Sequence, residues 1–267
     1  MGSKWKNAPV YFVIAQVRFS PVLNIESYIR DIQEIFRKVG FPDYRVTQQL
    51  LINLNVNLQQ NPATDTALTA PRANQVFVFS NQAKTQMLLL DSNSLTFQTT
   101  AYETFEHLSG LFFSRFEEVA DRLELSYSER VGLRYLDAVM PKDGEGLEQY
   151  LVPGVLGLHS YVEKGLVLSF SESRIQSGNG MILSRVVRQN GQIGFPFDLH
   201  PTAQQMVLDR RFSGHSGSYA ILDTDGYAEE RHGLNIAKLK EKLAALHTQV
   251  DDAFRSTITE YAIRQWQ

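Results

Sequence analysis

The segment Arg130–Met140 has the sequence RVGLRYLDAVM. It is mostly apolar and it ends at Pro141, which is typical of a core-forming β-strand. Arg134 stands between Leu133 and Tyr135, so this strand carries one cation among large apolar side chains. The sequence therefore predicts a sheet that is largely buried around this strand.

Further strands and helices are predicted on both sides of this segment. Strands are expected at 10–19, 52–58, 75–80, 86–91, 94–99, 157–163, 166–174, 180–189, 192–198 and 219–227. Helices are expected at 25–39, 102–123 and 236–263. The turn Asn190-Gly191 is the strongest short-range signal for an antiparallel hairpin.

This order predicts an α+β fold with two predominantly antiparallel sheet regions, each backed by a long helix. Proline and glycine cluster at 141–154, which favours an N-terminal α+β subdomain at 1–141 and a C-terminal antiparallel meander with a long helix at 152–267. One undivided domain is the alternative.

The last predicted helix carries an apolar stripe at alternating steps of three and four, formed by Ile236, Leu239, Leu243, Leu246, Val250 and Ala253. A core-facing helix on the sheet is the favoured interpretation of this stripe. A coiled-coil seam is the alternative, and it would make a homo-oligomer through the C-terminal helix.

Composition excludes several classes of protein. Lysine and arginine total 26 and aspartate and glutamate total 29, so the net charge of −3 predicts at most weak nucleic-acid binding by the isolated chain and no binding to anionic membranes. The chain has no cysteine, which excludes disulfides and thiolate sites. No apolar run is long enough for a signal peptide or a membrane span, and we expect a cytoplasmic protein.

Polar side chains on strands are the first candidate site. Arg18 and Arg134 are both flanked by large apolar residues, and Asn53, Asn55 and Asn57 alternate with apolar residues in the strand predicted at 52–58. Together these side chains could line a polar sheet face that binds an anion, a nucleotide or an acidic partner. A solvated face with buried salt bridges is the favoured alternative.

Asp223-Thr224-Asp225 is the second candidate. Both carboxylates would point to one face of a strand, where a hard cation such as Mg²⁺ could use them. Asp225-Gly226 as a simple turn is the favoured alternative. Phosphate-binding glycine motifs are absent, and Ser216 lacks the helix that a nucleophile elbow requires, so no catalytic residue is assigned.

Several segments spread over the whole chain resemble a sporadically distributed, uncharacterised prokaryotic protein family of about this length. The resemblance rests on Ala8-Pro9, Val17-Arg18-Phe19-Ser20-Pro21, Val131-Gly132-Leu133-Arg134-Tyr135-Leu136-Asp137, Leu222-Asp223-Thr224-Asp225, His247, Phe254, Thr257 and Thr259-Glu260. Gly-Leu-Arg-Tyr is its most specific part. The resemblance implies a patchily distributed gene of the kind found in mobile or genome-defence loci, and it implies no activity.

Two functional hypotheses follow. The first is a non-enzymatic binding or regulatory accessory protein that recognises a partner protein. The second is a metal-assisted enzyme acting on a phosphorylated or anionic substrate, with Asp223 and Asp225 holding the cation and Arg134 the phosphate. No particular cofactor is indicated by the sequence.

Overall fold

The computed structural model describes residues 5–51, 72–157 and 166–267. Its strands are β1 (Val10–Phe19), β2 (Asp43–Leu51), β3 (Arg72–Ser80), β4 (Gln86–Leu90), β5 (Ser94–Thr99), β6 (Tyr127–Val139), β7 (Leu168–Ser177), β8 (Gly180–Gly191) and β9 (Gly217–Gly233). Within the described ranges, they form one antiparallel sheet in the order β2-β3-β4-β5-β1-β6-β9-β8-β7.

The helices are α1 (Ile29–Lys38), α2 (Phe105–Arg122), α3 (Leu147–Tyr150), α4 (Pro153–Leu156), α5 (Arg210–Ser213), α6 (Ile236–Thr257) and α7 (Glu260–Trp266). The Thr104 and Asn235 side chains accept hydrogen bonds from backbone N–H groups in the first turns of α2 and α6. Each cap satisfies an N–H group that would otherwise lack a partner in the helix.

The α+β class is confirmed, but the prediction of two sheet regions is wrong. β6 pairs with β1 along one edge and with β9 along the other. This strand therefore joins the strands of the first half of the chain to those of the second half in one sheet. The sheet continues across the predicted boundary, where the chain forms the short helices α3 and α4.

The two faces of the sheet are covered differently. On the helix face, residues such as Val13, Leu133 and Tyr135 share a core with α1, α2 and α6. On the other face, Ile14 and Leu136 share a second core with Leu199 and other apolar residues of the segment 192–216. We call this segment the cover segment and the sheet face beneath it the cover face.

The cover segment arises where the sequence predicts a hairpin. Asn190 and Gly191 do not turn the chain; they continue β8, opposite Ser218 and Gly217 of β9. The strand predicted at 192–198 is also wrong, since Phe197–Leu199 is a 3-10 turn. Pairing of β8 with β9 along its whole length outweighs the local turn signal of Asn-Gly.

The C-terminal helix is shorter than predicted. α6 ends at Thr257, and Ile258 leaves the helix to bridge Leu151 before α7 begins. Leu239, Leu243 and Val250 of the apolar stripe are buried in the core beneath the sheet. The core-facing interpretation of the stripe is therefore confirmed, and a homo-oligomer through this helix stays a prediction.

Two predicted strands lie wholly or largely outside the described residues, at 52–58 and 157–163. The strand β2, which precedes the first of them, was not predicted. Among the described helices, none is long and apolar enough to cross a membrane.

Candidate functional site

Arg134 is the centre of a buried charge network on the cover face. Its Nε and Nη2 atoms donate to Oδ1 and Oδ2 of Asp223, both at 2.7 Å. Nη1 donates to Oδ2 of Asp198 on the cover segment at 2.5 Å. Burial acts to lower the pKa of Arg134, but Asp223 and Asp198 outweigh it and raise the pKa above its ordinary value. The guanidinium thus ties the cover segment to the sheet.

The strand register explains this pairing. Arg134 is directly opposite Asp225, while Asp223 is opposite Leu136. A long side chain reaches the diagonal neighbour across an antiparallel pair, so Arg134 meets Asp223, which lies two residues before Asp225 on β9. The partners are 8% and 2% exposed, which makes this a salt bridge of the interior.

The network continues across two more strands. Arg185 on β8 donates to Asp223 at 3.3 Å and to Glu172 on β7 at 2.7 Å. Arg174 also donates to Glu172, at 2.8 Å. Both oxygens of Asp223 are therefore already accepting from guanidinium groups.

Asp225 has a different environment from Asp223, although both lie on the cover face of β9 as the strand period predicts. Its carboxylate makes no hydrogen bond or ion pair with any residue that the structure describes. Burial raises the pKa of Asp225, although the charges of Arg130 and Arg134 act in the opposite direction. A half-buried carboxylate without a partner is a candidate for binding or for proton transfer.

Asp225 faces a polar cavity of about 220 Å³ that opens to the surface on the cover face. This volume is far more than the roughly 10–15 Å³ that holds one water and less than the roughly 300 Å³ of a typical drug-sized pocket. Its lining comes from six strands, the turn between β4 and β5, and the cover segment: Ile14, Gln16, Val76, Leu89, Asp91, Ser94, Thr96, Gln98, Arg130, Gly132, Leu133, Arg134, Asp198, Leu199, Thr202 and Asp225.

Gly132 provides open space in this lining. It is in register with Gln16 on β1 and with Tyr227 on β9. A Cβ atom at this position would have its nearest neighbours at 3.6 Å, an ordinary van der Waals distance. A larger side chain at residue 132 would therefore fill part of the cavity without a backbone clash at Cβ.

Several polar groups in the lining already have partners. Arg130 donates to Oε1 of Gln16 at 2.8 Å, and Nε2 of Gln16 donates to Thr96 at 2.8 Å. The Arg130 guanidinium also lies 4.3 Å from the centre of the Tyr227 ring. Gln98 is the exception, because it is 4% exposed and its buried Oε1 has no hydrogen-bond partner in the part of the chain that the structure describes.

The structure brings three of the predicted site residues together. Arg134 and Asp225 line the cavity, and Asp223 supports it through Arg134. Arg18 does not line it; it lies two residues beyond Gln16, opposite Ser94 and Arg130, and makes no hydrogen bond or ion pair within the described residues. Asn55 lies outside the described residues.

The predicted metal role of Asp223 and Asp225 is not favoured by this geometry. A cation at Asp223 would have to displace the guanidinium groups of Arg134 and Arg185. Across 5–51, 72–157 and 166–267, no group of three or more histidine, cysteine, aspartate or glutamate residues is arranged to hold a metal ion.

Residues that the sequence analysis missed complete the site. Thr96 and Gln98 alternate with Leu95 and Phe97, so the period of two already placed their polar side chains on one face. Asp198 gave no such signal, because it lies in a 3-10 turn of the cover segment.

A second polar cluster lies on the helix face of β6. The Tyr135 hydroxyl donates to the Tyr102 hydroxyl at 3.2 Å and lies 3.3 Å from Nδ1 of His247, whose ring stacks on Phe105. Burial lowers the pKa of His247. Asp137, next on this face, is 6% exposed and has no hydrogen-bond or ion-pair partner among the described residues.

Comparison with known proteins identifies no relative: no protein-family model, no curated protein and no solved structure matches the chain. The resemblance to the sporadically distributed prokaryotic family, and the genome-defence context that it implies, stay predictions.

Proposed function

We propose that the chain is a non-enzymatic recognition protein that binds a partner protein through the cavity on the cover face. The observation that carries the proposal is the set of unused acceptors in the cavity. Asp225 and Oε1 of Gln98 line it without a hydrogen-bond partner among the described residues, whereas buried polar groups in native proteins are nearly always hydrogen-bonded. A bound group would supply the missing donors.

An exposed aromatic residue beside the cavity favours a protein as the partner. Phe197 is 84% exposed and directly precedes Asp198 and Leu199, which line the cavity. Aromatic residues are enriched among the side chains that contribute most to protein interfaces. Phe197 and the cavity together form a recognition surface with an apolar contact and a polar one.

The metal-assisted enzyme has no comparable support. That hypothesis needs Arg134 free to hold a phosphate, but its Nε, Nη1 and Nη2 atoms all donate to Asp223 or Asp198. It also needs Asp223 free to hold a cation, and both its oxygens are occupied. The buried network instead holds the cover segment, and with it the recognition surface, against the sheet.

Affinity purification from the source cells tests the proposal. A partner retained by the parent chain should be lost with Gly132→Leu, which fills the cavity, and weakened with Phe197→Ala. Leu23→Ala is the matched control, because Leu23 is 95% exposed and does not line the cavity. Thermal melting verifies that each variant folds. Equal recovery of every bound protein by the parent and Gly132→Leu would refute the proposal.

Nucleic acid is expected to bind weakly. The densest basic stretch is Lys238, Lys240 and Lys242, but Lys240 pairs with Glu117 at 2.9 Å and Lys242 with Glu230 at 3.3 Å. Few positive charges remain there for phosphates. Fluorescence anisotropy with DNA and RNA should give dissociation constants no lower than about 1 µM. The affinity should decrease further as the salt concentration rises. Nanomolar binding that survives about 200 mM salt would contradict this expectation.

A further inference from the structure

Around the cavity, more hydrogen-bond acceptors than donors lack a partner among the described residues. The donors are largely committed: Arg134 to Asp223 and Asp198, Arg130 to Gln16, and Gln16 to Thr96. No donor among residues 5–51, 72–157 and 166–267 reaches the acceptors of Asp225 and Oε1 of Gln98. A group that completes this lining must therefore bring N–H or O–H donors.

The charges favour a cation. Three carboxylates line the cavity, those of Asp91, Asp198 and Asp225, against the two guanidinium groups of Arg130 and Arg134. Asp198 is bound by Arg134, and Asp91 accepts from the backbone N–H of Asn93 and the hydroxyl of Ser94 in its own turn. Arg130 pairs with Glu229, outside the lining, at 3.7 Å. Asp225 is therefore the charged group of the lining that has no hydrogen-bond or ion-pair partner among the described residues.

We infer that the cavity binds a cationic group bearing N–H donors, an ammonium or a guanidinium, with Asp225 as its counter-ion and Gln98 as a second acceptor. This inference rests on the proposal that the cavity is the recognition site. Charge-assisted hydrogen bonds to a carboxylate are roughly twice as strong as neutral ones, which suits a site built around one carboxylate. Its volume of about 220 Å³ admits such a group on a short alkyl chain.

Two sources present this chemistry: a lysine or arginine side chain of the partner protein, and a free small amine. The partner's side chain would enter the cavity while its backbone remains outside, beside Phe197. A free amine would occupy the cavity alone. Both require the same carboxylate.

Isothermal titration calorimetry on the full chain tests the inference. Methylguanidinium and n-butylammonium should bind, whereas butyrate, an anion, and tetramethylammonium, a cation without N–H donors, should not. Asp225→Asn should weaken binding by about tenfold or more, since the amide oxygen can still accept a hydrogen bond but the negative charge that strengthens it is lost. Asp252→Asn, which changes an exposed carboxylate on α6, should leave binding unchanged.

The pH dependence of the parent chain gives a second readout that needs no variant. Protonation of Asp225 removes the negative charge, so cation affinity should fall as the pH falls. The raised pKa of Asp225 places the start of this loss at a higher pH than for an ordinary aspartate. Affinity that is independent of pH through the acid range would contradict the role of Asp225.

Blocked amides of lysine and arginine separate the two sources. Tighter binding of these amides than of the simple cations indicates a side chain of a partner, and the reverse order indicates a free amine. The inference is overturned if the cations bind Asp225→Asn as well as they bind the parent. It is also overturned if the cations do not bind at all while Gly132→Leu still abolishes recovery of the partner. In both cases the proposal that the cavity is the recognition site still stands. If cation binding depends on Asp225 but no partner is recovered, only the proposal that the chain recognises a protein is overturned.

Discussion

Arg134→Ala should lower the free energy of unfolding by about 3 kcal/mol or more, because removing one partner of a buried ion pair leaves the other charge uncompensated. Asp223, which is 2% exposed, would keep only the longer contact with Arg185 at 3.3 Å. Asp198 would lose the bond that holds this part of the cover segment to the sheet. Urea unfolding followed by circular dichroism measures the change.

Arg37→Ala is the matched control for this prediction. Arg37 pairs with Glu34 at 2.7 Å on the surface of α1, and exposed pairs of this kind contribute little to stability. In a double-mutant cycle, Arg134→Ala combined with Asp223→Ala should cost less than the sum of the single changes, since the buried carboxylate of Asp223 is no longer left without Arg134. Arg134→Ala unfolding like the parent while losing its partner would show that Arg134 contacts the partner directly.

Local sequence patterns predicted the individual strands and helices better than they predicted which strands pair with each other. The aromatic and β-branched run of β1 and the spaced phenylalanines of α2 specify a strand and a helix within a few residues. The pairing of β6 with β9 joins residues about ninety positions apart, such as Arg134 and Asp225, and no local pattern specifies such a contact. This is why one sheet was predicted as two.

For the candidate site, as for the fold, the sequence predicted the local features but not the contacts between strands. The period of two placed Asp223 and Asp225 on one face, and the apolar neighbours of Arg134 indicated a buried cation. Which carboxylate the arginine would meet depends on the register of β6 against β9, which only the folded sheet fixes. The unequal roles of the two aspartates therefore could not be predicted from Asp-Thr-Asp.

β6 carries buried ionisable groups on both of its faces, and they are stabilised differently. On the cover face, Arg134 has two carboxylate partners. On the helix face, Asp137 has none among the described residues, and Asp251 on α6 adds a like charge. Burial first, and Asp251 second, raise the pKa of Asp137 to about 8. At neutral pH this carboxyl therefore favours its protonated, neutral form.

Asp137→Asn should accordingly stabilise the protein at alkaline pH and have little effect at acid pH. Between the ordinary pKa of 3.8 and the folded pKa of about 8, the folded chain binds more protons at this residue than the unfolded chain. The contribution of Asp137 to stability therefore falls as the pH rises through this window. A shift of about four units corresponds to an upper bound of about 6 kcal/mol, and relaxation around the ionised group reduces it.

We expect Asp137→Asn to exceed the parent by about 2 kcal/mol or more above pH 8, with the difference vanishing near pH 4. Urea unfolding across this range measures it, and the other carboxylates largely cancel because parent and variant share them. Asp252→Asn, on the exposed side of α6, is the control and should show no comparable trend. A difference between Asp137→Asn and the parent that stays constant with pH would mean that Asp137 is ionised in the folded chain. It would then require a partner for its charge, and Tyr102, Tyr135 and His247 are the polar groups of the neighbouring cluster that could supply one.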